Sequence, residues 1–545
     1  MVSLNDDYLT AAQAFNEAGI QVPTYDQRQT TIEGTKHPRW VHFGGGNLFR
    51  CFHALVAQDL IEQGEMTGGV IVAETYDDEV ISDMYHKYGN RFVDVIMNND
   101  GTFDKQLVAS VAESIYYNAA NKDGWQRMTA IFENPELQLA TMSITEKGYA
   151  LHNIDGSLTD MAAADIANGP EAPKTNMGAI AHLLYARYQA GAYPIAMVST
   201  DNFSQNGKTF QNGVMTIANG WHEQGLVDDG FIAYLNDPQK VSFPWTMIDR
   251  ITPNPAENVG ADLKKNGFAD TTILHTTKHT NIAPFANTEE VKYLVMEDNF
   301  PNGRPVFEKA GVMMVDRETV NDADQMKVTA CLNPLHTALA IYGCLLGYTS
   351  IYDEVQDDDV VALIKNLGYG EDLPVVKDPK VINPRKFLAE FIDERLQNKN
   401  VPDMPQRIAT DTSQKMSVRY GGTLSHYIDD PQRNPATLEF IPLVIAGWCR
   451  YLTGIGDDGK PFTLSRDPLM DQLQTSLKGI ELGATQPAIH QALQPIISNK
   501  EIFTYDLYAI GLGDKIERDF EQLIAAPGAV RKTLHEMVTT KNYSF

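Results

Sequence analysis

The sequence predicts an α/β protein in which an N-terminal doubly wound parallel sheet is followed by a second, mostly α-helical domain. Three observations carry this. Strand-like and helix-like runs alternate over roughly the first 300 residues, as in "RWVHFGGGNLFRCFHALVAQDLIEQG" followed by "GGVIVAETY", and such alternation builds β-α-β units. Beyond that point long helical periodicities take over, such as "HTALAIYGCLLGY" and "PLMDQLQTSLKGIEL". Finally, 545 residues with 43% hydrophobic content exceed what a single core usually serves.

Taken in order, residues 1–38 form an N-terminal extension with one amphipathic helix, "YLTAAQAFNEAG", and a polar loop. "RWVHF" then reads as a strand, "GGGN" as a turn, the following residues as a helix and "GGVIVAETY" as a second strand. Further strands are expected at "LATMSIT" and "YPIAMVST", the second preceded by the helix "MGAIAHLLYARYQAG". Pro301, Gly303 and Pro305 punctuate the join. The expected domains are therefore 39–300 for the sheet and 301–545 for the helices.

A formal charge of −27 and a pI near 4.8 argue against nucleic acid or an acidic membrane as partner. The amino terminus, "MVSLNDDYLTAAQAF", has no basic region followed by an apolar core. "FIPLVIAGWCRYL" is interrupted by Arg450 and is too short to span a bilayer. Cys51, Cys331, Cys344 and Cys449 are scattered without zinc or redox spacing. The expectation is a cytoplasmic protein with reduced thiols, a small-molecule partner and no metal site.

Glycines after a strand and before a helix let backbone N–H groups approach a pyrophosphate at the helix N-terminus. Gly44 and Gly46 match the first two glycines of the dinucleotide fingerprint and Asn47 opens the helix, but the third position is Phe49. Glu74 closes the second strand, where a carboxylate binds both ribose hydroxyls of NAD and repels the 2′-phosphate of NADP. Its separation from Gly46 exceeds the usual spacing of about 20 residues. A plain glycine turn and a solvated carboxylate are the alternative. "KVTACLNPLHTAL", residues 327–339, sets a lysine, an asparagine and a histidine in an apolar stretch. On local grounds a snorkelling lysine and a structural histidine are the more ordinary reading.

"VHFGGGNLFR", "TEKGY" (145–149), "DNFSQNG" (201–207), "FPWTMIDRITP" (243–253), "EDNFPNGRP" (297–305), "KVTACLNPLHTAL", "RIATDTSQK" (407–415) and "AGWCRYL" (446–452) follow one another in this order. Over residues 39–545 the chain thereby resembles the mannitol dehydrogenase family of long-chain polyol and sugar-acid dehydrogenases. The resemblance implies a Rossmann-type NAD-binding domain, a helical C-terminal domain and metal-independent catalysis. It makes Lys327 the general acid/base, Asn202 and Asn333 the donors that stabilise the alkoxide, and His336 a residue holding substrate near the reacting carbon. Asp249, Arg407 and Lys415 match pocket positions. That set suits the chemistry, because hydride transfer from a secondary alcohol needs a base for the hydroxyl proton and donors that do not themselves titrate.

The two pocket cations, together with likeness to the uronate-reducing branch, favour an open-chain sugar acid oxidised at C2 or C5, D-mannonate interconverting with D-fructuronate. Mannitol oxidation, tagaturonate reduction and arabinitol oxidation are alternatives, and a non-catalytic sugar sensor on the same fold is the remote one. One irregularity stands out. Five residues separate Lys327 from Asn333, where the family pattern has four. Either Asn333 and Pro334 begin a new helix as N-cap and N1, or a π-bulge absorbs the extra residue.

Overall fold

Short apolar runs bounded by glycine and polar turns become the central strands. In the computed structural model, which describes residues 1–153, 155–400 and 403–545, six strands form one parallel sheet. They are β1 (Trp40–Phe43), β2 (Val70–Glu74), β3 (Val111–Tyr116), β4 (Leu139–Met142), β5 (Ile195–Ser199) and β6 (Val241–Ser242), in the order β3-β2-β1-β4-β5-β6. Every residue of β1, β4 and β5 is buried, as expected of strands covered on both faces. Val41 of β1 pairs with Ile71 on one side and Ala140 on the other. The chain reverses its direction of progress between β1 and β4, and ligands of such sheets bind at the carboxyl ends beside that point. Helices Lys122–Glu133, Asn176–Gly191 and Asn206–Glu223 supply Phe132, Leu183 and Trp221 to the core against the sheet.

The extension departs from expectation in two elements, a short strand Ile20–Gln21 and a second helix. "QRQTTIEGTK" is a helix, Gln27–Lys36, rather than a polar loop. Its apolar stripe is poor, so periodicity does not reveal it. Asp26 caps it by accepting the Arg28 N–H, and Gly34 lets it approach the sheet, since a Cβ there would stand 2.5 Å from the Gly69 carbonyl oxygen. A second sheet joins Ile20–Gln21, Phe103–Val108, Phe92–Met97 and Phe285–Thr288. A third sets Tyr293–Glu297 antiparallel to Thr246–Asp249 and parallel to Met313–Val315.

The chain divides into two units, residues 1–98 with 102–321 and residues 99–101 with 322–545. The second unit is helical. Its long elements Asn333–Leu346 and Phe440–Tyr451 are almost wholly buried, joined by a hydrogen bond of 3.0 Å from the Tyr342 hydroxyl to the Leu443 carbonyl. The helical run 317–346 is long and apolar enough to cross a membrane by composition, but 83% of its apolar window is buried inside the protein. All four cysteines are buried and unbridged.

Candidate active site

At the carboxyl end of β1 the glycine turn is held by backbone bonds. The Gly44 N–H donates to the Ala73 carbonyl at 2.7 Å, and Gly44 has φ +109°, a conformation that favours glycine. A Cβ on Gly44 would stand 2.2 Å from the Ser143 carbonyl oxygen, whereas one on Gly46 would meet nothing within 4 Å. Gly46 thus leaves an open approach to the start of the helix. Asn47 serves the scaffold, donating from Nδ2 to the Pro253 carbonyl at 3.1 Å.

Glu74 reaches back to this turn. Its Oε2 accepts the Gly45 N–H at 2.9 Å, and Oε1 accepts the Tyr76 N–H at 2.9 Å and the Asp77 N–H at 3.4 Å. A carboxylate offers about four acceptor directions, so ribose hydroxyls can still be received by this half-buried group. A π-helical turn, Phe49–His53, and the loop after Glu62 account for the long spacing from Gly46. Glu74, Asp77, Asp78 and Glu79 crowd four carboxylates into one short segment, a poor neighbourhood for a 2′-phosphate. Beside it a cavity of about 790 Å³ runs along β3 from Ala112 to Tyr116, lined on its other sides by Asp78, Ser82 and Asn121 among others, room for an adenine. Open glycine, strand-end carboxylate and cavity together have the room and the chemistry for a dinucleotide.

The turns after β4 and β5 are locked to each other by Asp201. Its Oδ2 accepts from the Ile144 N–H at 2.9 Å and the Tyr149 hydroxyl at 2.7 Å, and Oδ1 from the Thr145 N–H at 2.8 Å. Burial pushes the Asp201 carboxyl up, and these donors oppose that rise. Asn202, the next residue, is exposed. Asp249 is buried at the end of the strand Thr246–Asp249, beside Arg250, whose guanidinium donates to the Cys51 and Glu289 carbonyls.

In the second unit Lys327 is only 2% exposed and lies in a π-helical turn, Met326–Cys331. The turn closes with the Leu332 N–H donating to the Lys327 carbonyl at 3.2 Å, five residues back. The additional residue is thus taken up as a π-bulge. The following helix begins at Asn333 with Leu332 as its cap, so Asn333 is the first helical residue and not the N-cap. Leu332, at φ −137° and ψ −62°, closes the π turn and takes the capping position that the asparagine was expected to fill. His336, half-buried, stands edge-on to the Phe391 ring at 4.8 Å.

The two sequence-predicted cations have different surroundings. The Arg407 side chain is 68% exposed, and its Nε and Nη2 each lie 2.6 Å from the Asp403 carboxylate. Lys415 donates from Nζ to the carbonyls of Ile408 at 3.1 Å and Thr410 at 2.5 Å. Burial, and then the Arg419 charge, bring its pKa down to about 8. Arg419 in turn donates to Thr337 Oγ1 at 2.5 Å, and Thr337 donates to the Asn333 carbonyl at 3.1 Å. Because the Arg419 N–H also donates to the Lys415 carbonyl at 3.0 Å, this ties the Lys415 backbone to the helix of Asn333 and His336.

The family model for the mannitol dehydrogenase Rossmann domain matches residues 38–309, and that for the mannitol dehydrogenase C-terminal domain matches residues 320–524. The chain belongs to the mannitol dehydrogenase family. It is 47% identical over 537 residues to a D-mannonate oxidoreductase of Thermotoga maritima, covering 98% of this chain and 99% of that one. It is 26% identical to a mannitol 2-dehydrogenase of Neosartorya fischeri, covering 93% of each. Among solved structures, a D-sorbitol dehydrogenase in substrate-free form superposes with TM-score 0.77 at 22% identity, covering 95% of this chain and 97% of that one. The Pseudomonas fluorescens mannitol 2-dehydrogenase ternary complex with NAD and D-mannitol gives TM-score 0.73 at 23% identity, covering 99% and 100%. These two establish the fold.

Three residues of this family member escape sequence reasoning. Arg419 had a signal, since it follows Lys415 by four residues and so shares its helix face. Asp201 had none beyond its place beside Asn202. Asp372 is fully buried with a carboxyl that burial drives well above its ordinary range. The Thr423 hydroxyl lies 2.8 Å from the Thr329 carbonyl and 3.0 Å from Asp372 Oδ1. One hydroxyl thus links the Asp372 carboxyl to the Thr329 carbonyl of the π turn.

Proposed function

We propose that the protein is an NAD-dependent oxidoreductase interconverting an open-chain hexonate and its keto acid, D-mannonate and D-fructuronate. The observation that carries this is the 47% identity to a D-mannonate oxidoreductase along nearly the whole length of both chains. Bound NAD supplies the hydride acceptor. In this reading the Gly44–Gly46 turn and the Asn47 backbone N–H seat the pyrophosphate at the helix start, and Glu74 takes the adenosine ribose.

Lys327, as the amine, accepts the hydroxyl proton while the carbinol carbon gives up its hydride, leaving a ketone and a lysine ammonium. Asn202 and Asn333 donate to the oxygen as negative charge develops on it, and amides keep that capacity at any working pH. His336 orients the reacting carbon, and Asp249 accepts substrate hydroxyls. Lys415 is the counter-charge for the carboxylate. Its third N–H remains for a ligand after two backbone carbonyls are served. Arg407, already paired with Asp403 at the surface, is the weaker of the two cations for this role.

Mannitol oxidation is the second reading, favoured by that surface pairing of Arg407, because neutral hydroxyls need one cation fewer. Steady-state assays with mannonate, altronate, mannitol and arabinitol, following NADH absorbance, separate the two. Mannonate is expected to give the highest kcat/KM; a higher value for mannitol overturns the sugar-acid reading.

A further inference from the structure

The segment that follows Glu74 is fastened by residues some 200 positions later in the chain. Leu274–His275 and Asn281–Ile282 form a two-stranded hairpin. Its turn bonds to the 76–79 segment residue by residue. Thr276 Oγ1 donates to Asp77 at 2.6 Å, the Thr277 N–H and hydroxyl both donate to Glu79, and Lys278 Nζ donates to the Tyr76 carbonyl at 2.6 Å and to Asp78 at 3.2 Å. The Tyr76 hydroxyl returns a bond to the Lys278 carbonyl at 3.4 Å.

Two features place this contact at the adenosine end of the crevice. The Lys278 ammonium stands 5.7 Å from the Tyr76 ring and 5.5 Å from the ring of Tyr116, the last residue of β3. Asp78 and Tyr116 also line the 790 Å³ cavity. In a doubly wound sheet the carboxyl ends of the second and third strands flank the adenosine. The Tyr76 peptide is the link to Glu74, since its carbonyl accepts from Lys278 while its N–H donates to Glu74 Oε1.

We propose that the hairpin is a clasp on the adenosine half of NAD, and that Lys278 is a positioning residue for the Glu74 carboxylate. The proposal rests on the NAD reading above. Four carboxylates in the segment repel one another, and an ammonium set between the Tyr76 carbonyl and Asp78 offsets that repulsion while fixing the peptide that aims Glu74. Removing the charge frees the segment without touching the reacting atoms.

Calorimetric titration with ADP-ribose tests this without turnover, in the wild type and in Lys278→Met, Lys278→Arg and Glu74→Ser. Lys278→Met is expected to weaken ADP-ribose about fivefold, a modest loss because a partly exposed lysine is screened by water. Lys278→Arg should restore most of it, and kcat at saturating NAD should stay at the wild-type value. Unchanged ADP-ribose affinity in Lys278→Met, or an equal fall in kcat, overturns the clasp. The Glu74→Ser arm distinguishes the two failures. If it too leaves ADP-ribose binding unchanged, the placement of the adenosine is wrong; if it alone weakens binding, the clasp fails and the cofactor reading stands.

Discussion

The glycine turn and the Lys327 segment both set candidate site groups at the entrance to a helix, and they are held there by different means. At the turn, Gly44 is fixed by backbone groups of neighbouring strands, since Ala73 accepts from it and a Cβ there would collide with the Ser143 carbonyl, while the Glu74 carboxylate and the Tyr85 hydroxyl hold only Gly45. The Lys327 segment is braced by side chains from a distant stretch, with Tyr420 donating to the Pro334 carbonyl at 2.7 Å, Thr423 to Thr329 and Arg419 to Thr337. A site built from backbone tolerates most substitutions and fails where a side chain has no room. A site braced by side chains fails at each bracing residue, including ones that never touch substrate.

The largest effect separates chemistry from binding across this divide. Lys327→Ala should lower kcat by about 10²- to 10⁴-fold, the range of a lost general acid/base, while NADH affinity measured by fluorescence stays within about twofold. A variant keeping a tenth of wild-type turnover would remove Lys327 from that role.

Next come two glycines of the same turn. Gly44→Ala combines a backbone collision with an unfavourable φ, and a loss of about 2–4 kcal/mol in urea unfolding is expected. Gly46→Ala meets open space, so stability should stay within about 0.5 kcal/mol, yet NADH should bind more weakly because a methyl occupies the approach to the helix start. Equal destabilisation by both would show that the turn is not held as described.

The same contrast explains what was legible in the sequence. β1, β2, β4 and β5 are apolar runs beside glycine or polar turns, and Gly44 and Glu74 sit where strand ends put them, so local pattern finds both. β6 is two residues long, and β3, "VAESIY", mixes polar and apolar residues at a sheet edge, so neither gives a periodic signal. The helix Gln27–Lys36 is too polar to show a stripe. In the second unit, Lys327, Asn333 and His336 stand out as polar residues in an apolar run, and the odd spacing between the first two marked the π turn as one of two options. Their braces, Arg419, Thr423 and Asp372, are long-range contacts that only the folded chain brings together.

An effect of about tenfold bears most directly on the central claim that this family member handles a carboxylate-bearing sugar. The measurement is the mannonate-to-mannitol ratio of kcat/KM with NAD, in the wild type and Lys415→Ala, between about pH 7 and pH 9, spanning the Lys415 pKa near 8. Lys415 is charged below that value and loses its proton above it. Mannonate should therefore be preferred at the acid end, and the ratio should decline as pH rises through about 8. Lys415→Ala should lower it about tenfold at pH 7, in keeping with a charge-assisted hydrogen bond of about 1.5 kcal/mol, and leave it without that decline. A wild type that prefers mannitol, or a ratio that Lys415→Ala leaves unchanged at every pH, would contradict the account.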